Sequence, residues 1–269
     1  MTKRFFRLWQ FLPFYFTAVT KYQLHSPFVF ELANAVLEDE RWYYAFRDVE
    51  VIRAKMRSSQ AILQVRDFGT GNDRQIPLNH VLRRAASSAG QGKQLFRLAN
   101  WANPDTMLEL GTSLGIGAMY LMSGARTARF VSLEGCPQTA EIARTNIDLM
   151  GFGSQVEVMV GPFEKTLQPA LEKLQTVDFV YLDGHHLQAP TLAYFEKCLQ
   201  FSTERTVFVF DDMHWSAEMV AAWAQIQQHQ QVTLTVDFFD LSLVFINPNF
   251  KQKQHLKIVP SRWKFWKFF

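Results

Sequence analysis

Beyond residue 105 the chain alternates short apolar runs with longer amphipathic stretches. Apolar runs near 106–111, 129–134, 156–160, 177–183 and 206–211 have the length and composition of buried strands. The stretches between them, near 115–124, 137–150, 163–175 and 188–200, have helical spacing. Gly151 stands where a C-terminal helix cap belongs, and Ser216 where a further helix over 216–229 would begin. Two apolar runs then follow directly, VTLTVDFFD and LSLVFINP, with no room for a helix between them. They must pair as an antiparallel hairpin.

Alternating strands and helices predict an α/β fold. The expected form is a Rossmann-like, doubly wound sheet of seven strands, mostly parallel and closed by the C-terminal antiparallel hairpin. The first hundred residues read as mainly helical, with examples in FVFELANAVLED and in the heptad-like spacing from Gln75 to Leu98. The expected organisation is a helical substrate-side region over 1–103, the sheet domain over 104–250 and a basic aromatic tail over 251–269.

Two glycine turns compete for a nucleotide-like ligand: Asp67-Phe68-Gly69-Thr70-Gly71-Asn72, and MLELGTSLGIG from Met107 to Gly117. A dinucleotide-type site needs an acid about 20 residues on, at the end of the next strand, to bind ribose hydroxyls. After Gly71 that distance falls in a helical stretch without an acid. After Gly111 it falls on the strand FVSLE, which ends at Glu134. The second turn is therefore the expected site, with the first left as a tight turn or a substrate-side loop.

Two further apolar runs end in acids. FVYLDGHH places Asp183 at a strand end with His185 and His186 behind it, and VFVFDDMH places Asp211 and Asp212 with a histidine two residues on. Ligands bind beyond the carboxyl ends of strands in open α/β sheets. A loop imidazole there is a candidate general base. Three carboxylates close together repel unless a cation or protons offset them. Mg²⁺ or another oxygen-liganded divalent ion on Asp183, Asp211 and Asp212 is one expectation. Helix capping and solvation are the other.

Charge changes the picture at the two ends. The net charge is +3, but the stretch before Glu31 holds four basic residues and no acid, and the stretch after Asp240 holds six and no acid. The remainder carries 18 basic against 25 acidic residues. Both ends are aromatic, as RFFRLWQFLPFYF and RWKFWKFF. Such segments suit an anionic membrane surface. Packing on the domain or on a second copy, as a homodimer, is the alternative. An acidic body disfavours nucleic acid. The two cysteines give neither a disulfide framework nor metal-ligand spacing. No apolar run reaches the roughly 18 residues of a membrane-spanning helix, and the N-terminal run from Trp9 to Val19 lacks a clear cleavage site. A cytoplasmic protein, peripheral to the membrane if the ends dock there, is the expectation.

MLELGTSLGIG, VSLEG, FVYLDGHH and VFVFDD, in this order and spacing, resemble class I S-adenosylmethionine-dependent methyltransferases, nearest the catechol and caffeoyl-CoA type of O-methyltransferase. HSPFVF, DFGTG and DDMHWSAEM resemble a group of bacterial methyltransferases of unassigned substrate. The resemblance covers about residues 103–249. It implies that Glu109 and the segment Gly111, Thr112, Ser113, Gly115 and Gly117 hold the methionine end of S-adenosyl-L-methionine. Glu134 takes the ribose diol, Pro162 and Phe163 lie near the adenine, and Asp183 also borders the cofactor. Asp183, Asp211 and Asp212 occupy the family's metal positions. The chain departs from the family where Asp212 replaces Asn, where His186 replaces a catalytic Lys, and where Gly117 replaces a cofactor-contacting Ser. The implied activity is O-methylation of a small or medium-sized acceptor, with His186 or His185 as base. The alternative is a non-catalytic protein of the same fold that binds cofactor or docks at a membrane surface.

Overall fold

The computed structural model describes residues 3–66 and 73–267. The chain runs α1 (Lys3–Thr17), α2 (Pro27–Val36), α3 (Tyr44–Ser58), β1 (Ile62–Arg66), β2 (Asp73–Pro77), α4 (Leu78–Ala85) and α5 (Ala89–Ala102). It continues with β3 (Thr106–Leu110), α6 (Ile116–Gly124), β4 (Arg129–Glu134), α7 (Pro137–Leu149), β5 (Val156–Val160) and α8 (Phe163–Leu174). β6 (Val177–Leu182), α9 (Gln188–Leu199), β7 (Ser202–Asp211), α10 (Ala217–Gln228), β8 (Leu234–Asp237), β9 (Leu241–Phe245) and β10 (Gln254–Lys257) follow, before a 3₁₀ segment over Ser261–Lys267. The strands β3 to β10 are those of a mostly parallel eight-stranded sheet with an antiparallel hairpin, a Rossmann-like fold.

The chain divides into two compact units, Arg41–Val177 and Met1–Glu40 with Asp178–Phe269. In the first, β3, β4 and β5 pair in parallel, with Glu109 opposite Ser132 and Glu134 opposite Val160. All five residues of β3 are buried, as a strand covered on both faces requires. α6 has eight buried residues, Ile116 to Ser123, and reads as apolar on every side for that reason.

In the second unit the strand order is β10-β8-β9-β7-β6. β9 pairs antiparallel with both β7 and β8. The eighth strand, β10, lies parallel to β8 with Leu256 opposite Val236. It corrects the seven-strand count and the picture of a plain tail beyond residue 250. Its residues, Lys257 included, are mostly exposed, and exposed Lys251 and Lys253 precede it. This is the composition of a charged edge strand, and it lacks the apolar alternation by which strands are recognised. The N-terminal segment joins this unit through a parallel bridge from Val19 to Ile258. Phe14, Ala18, Phe239 and Val259 form a buried cluster, with Phe11 and Tyr15 packed against it.

Two further expectations change. The stretch from Gln75 to Leu98 is not one helical run. It is β2, α4 and α5, broken where Ser88 caps α5 by accepting from Gln91 N at 3.2 Å. The mainly helical N-terminal region also contains the antiparallel hairpin β1–β2, with Gln64 opposite Gln75. The glycine turn Asp67–Asn72 between those strands lies outside the described residues.

Candidate functional site

In the unit Arg41–Val177 the site is built on the turn from β3 into α6. Gly111 has φ 110° and Gly115 φ 80°. A Cβ on Gly115 would lie 3.2 Å from the Cα and carbonyl oxygen of Ala143, so the turn needs glycine there on two counts. Asn146 Nδ2 donates to Leu114 O at 2.9 Å, and Gly115 N donates to Thr112 O at 2.8 Å, which fix the turn from both sides. Ser113 has φ 49°. Its backbone N–H donates to Glu134 Oε2 at 2.7 Å, while Cys136 N donates to Glu134 Oε1 at 2.8 Å. The acid that spacing singled out therefore holds the glycine turn directly. Burial pushes the Glu134 pKa up, against the backbone bonds that favour its charged form.

Glu109 lies deeper. It is 1% exposed and accepts from the Ser132 hydroxyl, which also meets Thr112 Oγ1. Burial pushes its pKa up to about 8, so it is a neutral acid near pH 7. It serves this site as a brace between β3, β4 and the turn. Gly117 is buried in the first turn of α6, and Phe163 opens α8 at 7% exposure, just after Gly161 donates to Glu134 O at 2.9 Å. Ser113 Oγ is buried with no hydrogen-bond partner. A buried hydroxyl without a partner beside bare turn backbone fits a polar ligand lying there.

In the unit containing Asp178–Phe269, the strand-end acids have their own partners. Tyr181 Oη lies 2.9 Å from Asp211 Oδ2 and 3.2 Å from Asp183 Oδ2. Asp211 Oδ1 accepts from Asp212 N at 2.7 Å. Asp212, at φ 54°, turns its carboxylate to Arg7 of α1 at 3.5 Å, and Arg7 also pairs with Asp240. Among the described residues no three His, Cys, Asp or Glu side chains gather as a metal site. The three aspartates do not fit the expected ion: a guanidinium, a phenol and a backbone amide meet the carboxylates.

The two loop histidines make different contacts. His185 (φ 63°) bonds through Nδ1 to Tyr194 Oη at 2.7 Å. His186 (φ 37°) places Nε2 3.6 Å from Asp183 Oδ1. Sequence reasoning noted a third histidine, His214, without a partner for it. Its Nε2 lies 2.8 Å from Asp237 Oδ2, both are buried, and its ring stacks on Phe239 at 4.7 Å. Nothing in the local pattern links position 214 to 237. Only the pairing of β8 and β9 does.

Residues 108–213 match the family model described as a methyltransferase domain. The catechol O-methyltransferase of Mycobacterium tuberculosis (strain ATCC 25618 / H37Rv) is 35% identical over 138 residues, 49% of this chain and 59% of that protein. The catechol O-methyltransferase of Niastella koreensis (strain DSM 17620 / KACC 11465 / NBRC 106392 / GR20-10) is 30% identical over 128 residues, 47% of this chain and 57% of that protein. The chain thus spans less than two thirds of the length of these curated relatives. Among solved structures, the O-methyltransferase from Bacillus cereus in complex with SAH is similar at 22% identity and a TM-score of 0.55, over 81% of this chain and 96% of that one. That likeness establishes the Rossmann-like methyltransferase fold.

Proposed function

We propose that the chain is an S-adenosyl-L-methionine-dependent O-methyltransferase acting on a small-molecule acceptor. The observation that carries the reading is Glu134: it reaches back across 21 residues to the Ser113 N–H in a turn whose buried Ser113 hydroxyl has no partner. Ser113 N and Cys136 N, with the Thr139 hydroxyl and the Gly135 backbone also donating, fix the direction of the Glu134 carboxylate at the strand end where a ribose diol would lie. Gly111, Thr112, Ser113, Gly115 and Gly117 supply the backbone against which the methionine end lies, and Phe163 supplies an apolar contact for the base. Relatives named catechol O-methyltransferase make a catechol the first acceptor to try.

The cofactor, when bound, supplies a methyl group on a sulfonium. That methyl would be the group transferred to the acceptor oxygen, and His186 would take the acceptor proton. Asp183 orients the imidazole and stabilises it once charged, since it lies on the Nε2 side at 3.6 Å. His185 is held by Tyr194 and serves to shape the loop. No step is assigned to a metal.

Titration calorimetry with S-adenosylhomocysteine tests the cofactor half, and absence of binding at millimolar ligand defeats it. His186→Gln is expected to leave that binding intact and lower kcat by about 10²-fold or more, with His185→Gln milder. Equal turnover by His186→Gln and the parent would remove His186 as base. Cofactor binding without methyl transfer to any acceptor of a broad phenol and catechol panel would favour the non-catalytic reading.

A further inference from the structure

We infer that α1 and the C-terminal 3₁₀ segment form a single docking face for an anionic membrane surface. The two basic aromatic stretches stand at opposite ends of the sequence, but the fold of one unit brings them together. Tyr15 Oη donates to Trp263 O at 2.6 Å, the rings of Phe11 and Trp263 meet edge to face at 6.1 Å, and Val19 pairs with Ile258. Lys264, 2% exposed, donates to Ala18 O at 2.6 Å and fastens the two segments from beneath.

α1 is apolar on both faces, and only one is used. Phe14 and Ala18 are buried, with Phe11 packed beside them. Phe5, Leu8, Trp9, Leu12 and Phe16 follow helical spacing and are 58%, 57%, 65%, 48% and 74% exposed, and Trp263 beside them is 43% exposed. A stripe of five large side chains on one short helix exceeds the scattered exposure of a soluble surface. Fifteen residues are too few to cross a bilayer, and no described helix is long and apolar enough to do so. Such a helix lies in the interface plane instead.

Charge selects the occupant. The sequence before Glu31 carries four basic residues and no acid, that after Asp240 six and no acid, and exposed Lys257 places Nζ 3.5 Å from Thr17 Oγ1 at the C-terminal end of the stripe. Both segments that build the face are therefore net positive, and a second copy seated on it would bring like charge against like. An anionic lipid surface matches both the apolar stripe and this charge.

Co-sedimentation of the full chain with vesicles tests this. Vesicles of phosphatidylcholine mixed with phosphatidylglycerol should bind the protein, phosphatidylcholine alone should bind it less, and added salt should weaken the binding. The double variant Trp9→Glu/Phe16→Glu should bind the mixed vesicles about tenfold or more weakly. Its melting temperature and its affinity for S-adenosylhomocysteine should be unchanged, because both side chains are exposed and lie outside the cofactor turn. This separates loss of docking from loss of fold and from failure of the methyltransferase reading. The proposal is overturned if the parent ignores anionic vesicles or if the double variant binds them equally. It is also overturned if a lipid-free dimer of the parent is abolished by the same substitutions, which would assign the face to a second copy.

Discussion

The two units handle strained backbone and buried acid in opposite ways. In Arg41–Val177 the left-handed positions of the ligand turn fall largely on glycine, at Gly111 and Gly115, with Ser113 between them. The acids there are answered by groups close at hand: Ser132 for Glu109, and Ser113 and Cys136 for Glu134. Among the described residues of the other unit the left-handed ones are His185, His186, Asp212 and Phe239, none of them glycine. The acid at 212 is answered by Arg7, 205 residues away in sequence. Glycine adopts such conformations at little cost, whereas other residues hold them only where surrounding contacts impose them. The glycine turn is self-contained, while the acid loops depend on the rest of their unit.

The largest effect expected from this contrast is at Gly115. Gly115→Val combines a φ of 80° with a Cβ placed 3.2 Å from Ala143 backbone. It should cost about 3 kcal/mol or more and abolish binding of S-adenosylhomocysteine. Gly151→Ala is the matched control. It shares the positive φ, at 78°, but its Cβ would meet nothing within 4 Å. It should cost about 1 kcal/mol and leave binding intact. Urea unfolding and calorimetry on both variants decide whether close approach or φ alone sets the requirement. Equal losses in the two would attribute the effect to φ.

That comparison also shows what was legible in the sequence. The strand, the glycine turn, the helix and the spaced Glu134 are local, and burial of β3 and α6 leaves an apolar signature that pattern reading can find. The hairpin β1–β2 lies in a region that reads as mainly helical, and its five-residue strands are too short to stand out from that pattern. β10 was hidden by its lysines, which are what an edge strand needs. Lys264 reads as a tail charge, yet it is buried against Ala18 O. The partners of Asp212 and His214 are tertiary facts: Arg7 reaches the first across α1, and β8 brings Asp237 to the second. The acids themselves were visible, but what neutralises them was not, and so a divalent ion was expected where a guanidinium stands.

A second effect, of middle size, tests the buried brace. Glu109 titrates at about 8 in the folded chain against an ordinary 4.5. The folded state therefore holds the extra proton between those values, and stability falls as pH rises through that window. Glu109→Gln keeps the shape and removes the titration. The variant should gain on the parent by a few kcal/mol between about pH 5 and about pH 8, measured by urea unfolding at each end. A residual slope is expected from Glu134, whose pKa burial also raises. Parallel stability curves for parent and variant would show that Glu109 is charged in the fold.

The smallest effect on stability, and the sharpest contrast with Gly115, belongs to Arg7. Its side chain is 34% exposed, and its partners Asp212 and Asp240 are 26% and 49% exposed, so the pairs are screened and entropically costly. Arg7→Met should therefore change stability by only about 0.5 kcal/mol. Its consequence lies in charge: Asp212 loses its cation while Asp211 and Asp183 still share the Tyr181 hydroxyl. That removes one positive charge from beside these strand ends. The pH profile of turnover should shift upward, and acceptor KM should rise, while affinity for S-adenosylhomocysteine stays level. Arg7→Lys restores the charge and should recover most of the profile. A purely structural role would lower stability and leave the pH profile where it was. An unchanged profile in Arg7→Met would mean that the acid loop, like the glycine turn, balances its charge from within.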